Sequence, residues 1–150
     1  MVVSRPTAVG DDTDAPSVKL PFAAWVKLAP MDTGNLRRKI EQEIDSYVYQ
    51  QHPTAVGAAM PQEWVTQQLA EMRAALVEPV LRLVEIRDTG AQMQGEAAPL
   101  MRECFLVADD REGYELYFDA ESNDFVLAYS GNPPSTFNVR GDAVGCFMAR

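Results

Sequence analysis

Residues that do nucleophilic, metal or acid–base chemistry are few in this chain and poorly spaced for it. His52 is the only histidine, and Cys104 and Cys146 are the only cysteines. A cysteine–histidine dyad needs a thiolate, and both cysteines lie in apolar segments that disfavour one. They read as buried small hydrophobes. One histidine and two distant cysteines give no zinc-ligand spacing. The run DDREGYELYFDAESND lacks the spacing and central glycine of a calcium loop. Neither GxGxxG, a P-loop nor GxSxG is present, so no cofactor is implied. Asp119 and Asp124 are a carboxylate pair suited to acid–base work only inside a cleft, and the sequence builds no cleft around them. Arg140-Gly141-Asp142 spells the integrin-binding tripeptide, but without a secretion signal it reads as a turn. The chain reads as a non-enzyme.

The charge is far from evenly spread. Residues 103–124 hold eight acids and one base, a local charge of −7 against −9 for the whole chain. Such a concentration makes a local field that attracts cationic partners. A pI near 4.5 argues against nucleic acid and anionic membranes as partners and permits a basic protein. The bland alternative is that acidity serves solubility. No apolar run approaches the roughly 20 residues that span a bilayer. The first residues, MVVSRPTAVGDDTDAP, lack the apolar stretch of a secretory signal, so the expected location is cytoplasmic.

The elements that must position these groups follow from periodicity. Residues 1–16 read as a flexible arm, and 17–150 as a single domain. An apolar piece at 18–28 reads as a short strand or a docking segment. A first helix starts near Asp32-Thr33-Gly34-Asn35 and carries Leu36, Ile40, Ile44, Tyr47 and Val48 at helical spacing. It is expected to end near Gln51-His52-Pro53. A second begins near Pro61, carries Val65, Leu69, Met72 and Leu76, and is expected to stop at Pro79. Val80 to Arg87 reads as a strand and Asp88 to Pro99 as a loop. A meander follows, roughly 101–108, 114–119 and 124–129, then a loop at 131–135. The uncharged segment Ala143 to Ala149 reads as a last, buried strand. The fold class is α+β: two amphipathic helices on a mainly antiparallel sheet of four or five strands.

The hairpin 114–129 has a register that can be read directly. Pairing Asp119 with Asp124 places Phe118 opposite Phe125, Leu116 opposite Leu127 and Tyr114 opposite Tyr129, all on one face. Extending this to the preceding strand pairs Ala108 with Tyr114, Leu106 with Leu116 and Cys104 with Phe118. The second face then has an apolar centre of Phe105, Val107, Tyr117 and Val126 and a border of Glu103, Glu115, Asp119 and Asp124. The like charges of Asp119 and Asp124 stand opposite each other at the loop end, where solvent or a partner can relieve them. Two readings of this face stand side by side. Either a helix or the 18–28 segment covers it, or it is an exposed apolar patch with a charged rim, as many protein-binding surfaces are. On the second reading the partner-binding residues are Glu103, Phe105, Asp109, Asp110, Glu112, Glu115, Tyr117, Asp119, Glu121 and Asp124.

The acidic hairpin YELYFDAESNDFVLAY, the single-domain size and the lack of catalytic motifs resemble, in kind, the small acidic immunity proteins that bacteria keep in the cytosol against toxins. The resemblance implies a toxin inhibitor that sets acids against a basic toxin surface. Small acidic α+β secretion chaperones of type III systems, usually dimeric, are a second possibility. They normally close with an amphipathic helix, whereas this chain ends in VGCFMAR. An enzyme of unrecognised type is a third.

Overall fold

In the computed structural model of the protein, residues 32–51 and 53–150 are described. The arm expected at 1–16, the apolar piece at 18–28 and His52 lie outside them. Helix α1 spans Thr33–Ser46 and buries Leu36, Ile40 and Ile44, one side chain per turn. It stops short of the expected end near Gln51. Ser46 Oγ donates to the Gln42 carbonyl at 2.8 Å, and past the helix Tyr47 is half-buried and Val48 is 73% exposed.

Helix α2 spans Gln62–Ala75 behind Pro61, with Glu63 in its first turn and Arg73 in its last, both favourable to the helix dipole. Val65, Met72 and Ala75 are buried. The chain passes straight into strand β1, Leu76–Ile86. Pro79 therefore does not end the helix as expected. It lies inside β1, where the register shifts between Leu76 and Val80, and in such a bulge a missing N–H forfeits no ladder bond.

The expected loop 88–99 contains a one-turn helix α3, Gly90–Met93. Thr89 accepts from the Gln92 N–H while Gln92 accepts from the Thr89 N–H, a reciprocal cap. Strands β2 (Leu100–Asp109), β3 (Tyr114–Asp119) and β4 (Asp124–Tyr129) form the expected meander.

The C-terminal part differs from expectation. The fifth strand, β5, is Ser135–Gly141, and the expected last strand is helix α4, Ala143–Met148. Gly141, at φ +145°, ends the strand. Asp142 then caps the helix by accepting from the Gly145 N–H at 2.8 Å. Ala143, Val144, Cys146 and Phe147 are all buried, a helical spacing inside an apolar run that fits either element.

The fold is α+β, as expected, but the sheet is closed. Strands run in the order β1-β2-β3-β4-β5, each antiparallel to the next, and β5 returns to β1 in parallel through Glu85 and Ser135. Residues Thr33–Arg150 make one compact unit. Between β3 and β4 every pair stands as read from the sequence, from Tyr114–Tyr129 to Asp119–Asp124.

Between β2 and β3 the expected register is wrong. The observed pairs are Ala108–Leu116, Leu106–Tyr117 and Phe105–Phe118, with a bulge between Leu106 and Ala108. A shift by one residue exchanges the faces. Cys104 and Leu106 therefore join Tyr117, and Phe105 joins Phe118.

Two cores result. Val84, Ile86, Cys104, Leu106, Tyr117, Val126 and Ala128 fill the barrel. On the other face of β3 and β4, Leu116, Phe118, Phe125 and Leu127 are buried, and α4 packs against β3, β4 and β5. α1 and α2 pack on α4 and complete this outer layer.

Candidate functional site

The acidic face read from the sequence is the inside of the barrel. The face that carries Tyr117 and Val126 also carries Glu115 and Asp119, and all four are buried, with Asp119 at 0% exposure. No helix covers this face; the sheet rolls onto itself. Phe105 is buried too, but on the opposite face. Glu103, Phe105, Glu115, Tyr117, Asp119 and Asp124 therefore do not share one surface.

Arginines inside the fold neutralise these acids. Asp119 Oδ2 accepts from Arg102 at 2.5 Å and from Arg140 at 3.2 Å. Arg140, on β5, also donates to Asp124 at 2.9 Å and to Asp88 at 3.0 Å. The like-charge pair Asp119–Asp124 is thus relieved by an arginine of the same chain and needs no partner. Burial works to raise the Asp119 carboxyl. The hydrogen bond and charge of Arg102, with the charge of Arg140, outweigh it and hold the group below the usual carboxylate range. Arg140 and Asp142 of the Arg-Gly-Asp tripeptide are both committed within the fold, one to this network and one to the α4 cap.

At a second position in the barrel the Tyr117 hydroxyl donates to Glu115 Oε1 at 2.6 Å, and Arg82 lies 3.7 Å from Glu115 Oε2. Burial, then the Glu115 hydrogen bond and charge, push the phenol well above its ordinary value. In the turn between β2 and β3, Asp109 accepts from the Arg111 N–H. Asp110 accepts from the N–H groups of Glu112 and Tyr114, and these bonds shape the turn. Asp110 also pairs with Arg150 at 3.0 Å. Arg150 further binds Glu71 and Gln68 and lies 3.9 Å over the Phe147 ring. This turn and α2 border an open cleft of about 400 Å3.

Of the ten expected contact residues only Glu103, Glu112 and Glu121 are exposed, on an outer sheet face, one turn and another turn respectively. Both thiols are buried, and burial pushes each up to about 12. Among the described residues, no group of three or more His, Cys, Asp or Glu side chains is arranged to hold a metal. No described helix is long and apolar enough to cross a membrane.

Sequence reasoning missed the outer face of β1 and β2. Val84 and Ile86 point into the barrel, so Leu81 and Leu83 point out. Leu83 is 52% exposed and Met101, diagonal to it on β2, 44%. Glu103 stands directly opposite Leu83 and enters no ion pair among the described residues. Beside this strip, Arg82, Leu83 and Met101 meet Pro133 and Pro134 across a groove of about 460 Å3. The available signal was VLRLVEI itself, which is apolar in both phases of the alternation. A strand with two apolar faces needs two covers, and among the described residues the second, α1, leaves Leu81 and Leu83 exposed.

Compared with known families, curated proteins and solved structures, the chain matches none.

Proposed function

We propose that the protein is a non-enzymatic protein-binding module whose contact surface is the outer face of β1 and β2. The observation that carries this is the apolar strip of Leu81, Leu83 and Met101, which stays exposed where α1 and α2 cover β1 and β2 only in part. Glu103 within the strip and the net charge of −9 favour a basic partner. Thiols held near 12 carry little thiolate at neutral pH, which speaks against cysteine chemistry. The specific form proposed is an immunity or inhibitor protein that neutralises a cognate bacterial toxin. Co-expression with the product of a neighbouring gene should restore the growth of cells that the product poisons. A Leu83→Glu, Met101→Glu double variant with unchanged melting temperature should lose that protection. Full protection by the variant contradicts the assigned face.

A second reading, a dimeric secretion chaperone for an effector, gains one specific observation. The segment 143–148 is a helix and not the expected strand, although a short and largely buried one. It predicts a stable homodimer by light scattering, and a monomer at all concentrations removes it.

A further inference from the structure

The two edges of β1 are used unequally. Along one edge it pairs with β2 at Leu76 and then continuously from Val80 to Ile86. Along the other it meets β5 at one residue, where the Glu85 N–H donates to the Pro134 carbonyl at 2.9 Å. The stagger of barrel strands causes this, since β5 begins where β1 is about to end. Backbone groups along an antiparallel strand point alternately toward and away from the neighbour. The Glu85 N–H points away from β2, so the N–H and C=O groups of Leu83 and Leu81 do as well. Among the described residues, neither leucine makes a backbone hydrogen bond outside the ladder. Pro79 and the bulge before Val80 close the free stretch at its start, as edge strands are commonly blunted.

We infer that this open edge, Val80 to Val84, takes an extended segment of a basic partner as an added strand. The inference rests on the β1–β2 face being the binding surface and states how that surface is used. An unpaired edge beside an apolar groove is what strand addition requires: the backbone supplies hydrogen bonds and the groove supplies pockets for alternate side chains. Two residues, Leu81 and Leu83, offer the donors and acceptors. The groove of Leu83, Met101, Pro133 and Pro134 receives every second side chain of the incoming strand, and Arg82 on its wall lies 3.7 Å from Glu115, which balances its charge. Glu103, exposed within the same strip, selects a lysine or arginine beside those apolar residues.

The test uses the full chain and a random linear-peptide library displayed on phage. Enriched peptides should alternate apolar residues with lysine or arginine. Binding should slow hydrogen exchange at the Leu81 and Leu83 amides. N-methylation of every second peptide nitrogen should weaken binding about tenfold or more in one phase of the alternation and little in the other. Equal binding by both methylated series, with exchange at Leu81 and Leu83 unchanged, overturns strand addition and leaves the face itself standing. If no peptide is enriched and Leu83→Glu, Met101→Glu leaves protection intact, both readings fall. Slowed exchange at the same amides on raising protein concentration alone assigns the edge to a second copy and overturns the partner.

Discussion

The inner face of β3 and β4 and the outer face of β1 and β2 reverse the usual arrangement. The first carries carboxylates and is sealed; the second carries Leu81 and Leu83, which are exposed. Both strand pairs are antiparallel, and both alternate in the same way. The difference is what closes over them. β3 and β4 face the interior of a five-stranded barrel, where Arg82, Arg102 and Arg140 reach their acids. β1 and β2 turn their outer residues toward a side where the helices leave Leu83 and Met101 uncovered. An acidic sequence is therefore not evidence of an acidic surface when arginines on neighbouring strands stand in register with it. The lesson also runs the other way, because an apolar strand is not evidence of a core.

The sharpest way to break this comparison is to remove the inner acid. Asp119→Ala leaves Arg102 and Arg140 buried without their shared partner and should destabilise by about 3–5 kcal/mol in urea denaturation. A loss below about 1 kcal/mol would mean that the inner acids do not hold the barrel. Phe147→Ala tests the layer outside β4 and should cost a similar 3–5 kcal/mol or so, since Phe147 is buried in α4.

A pH series sharpens the same contrast. Asp119 has a depressed carboxyl, so its contribution is fully present above the unfolded pKa of about 4 and is lost as pH falls through the folded value. Stability should drop on acidification below about pH 4, and Asp119→Asn should flatten that limb. An unchanged acid limb in the variant would contradict the ion network. Next in size is Gly145→Ala. A Cβ there would sit 2.7 Å from Asp142 Oδ1, so the capping carboxylate must shift, which should cost up to about 1 kcal/mol as the cap weakens. The smallest effect belongs to the bare face. Leu83→Ser should change folding stability by no more than about 0.5 kcal/mol while removing partner binding, and a larger stability loss would mean that the face is covered.

Much of the fold was legible. The β3–β4 register followed from YELYFDAESNDFVLAY, whose flanks match in length and pattern about one turn. The β2–β3 bulge was not legible, because the sequence across Leu106 to Ala108 carries no glycine or proline to mark it. That single unmarked residue turned a sheet face into a barrel interior. β5 was hidden behind Pro133 and Pro134 and interrupted by Asn138, which sits at φ +65°. α4 was misread because AVGCFMA has no charged or polar side chain, so its hydropathy carries no period even though its burial does. The cap at Asp142 was the signal passed over. For the site, the acids were correctly found as a cluster, but their arginine partners come from strands 16 to 21 residues away in sequence. Leu81 and Leu83 drew no attention because 80–87 was read only as a strand, with neither face of it assigned.

The central claim is that leucines of β1 face solvent while the acid-bearing face of β3 and β4 is sealed. Thiol labelling of native protein tests it most directly, because Cys104 and Cys146 are buried and leave the background silent. Leu83→Cys should react with a maleimide as fast as an unfolded thiol, and Val126→Cys, next to Tyr117 in the barrel, only on global unfolding. Rapid labelling of Val126→Cys together with protection of Leu83→Cys would contradict the account.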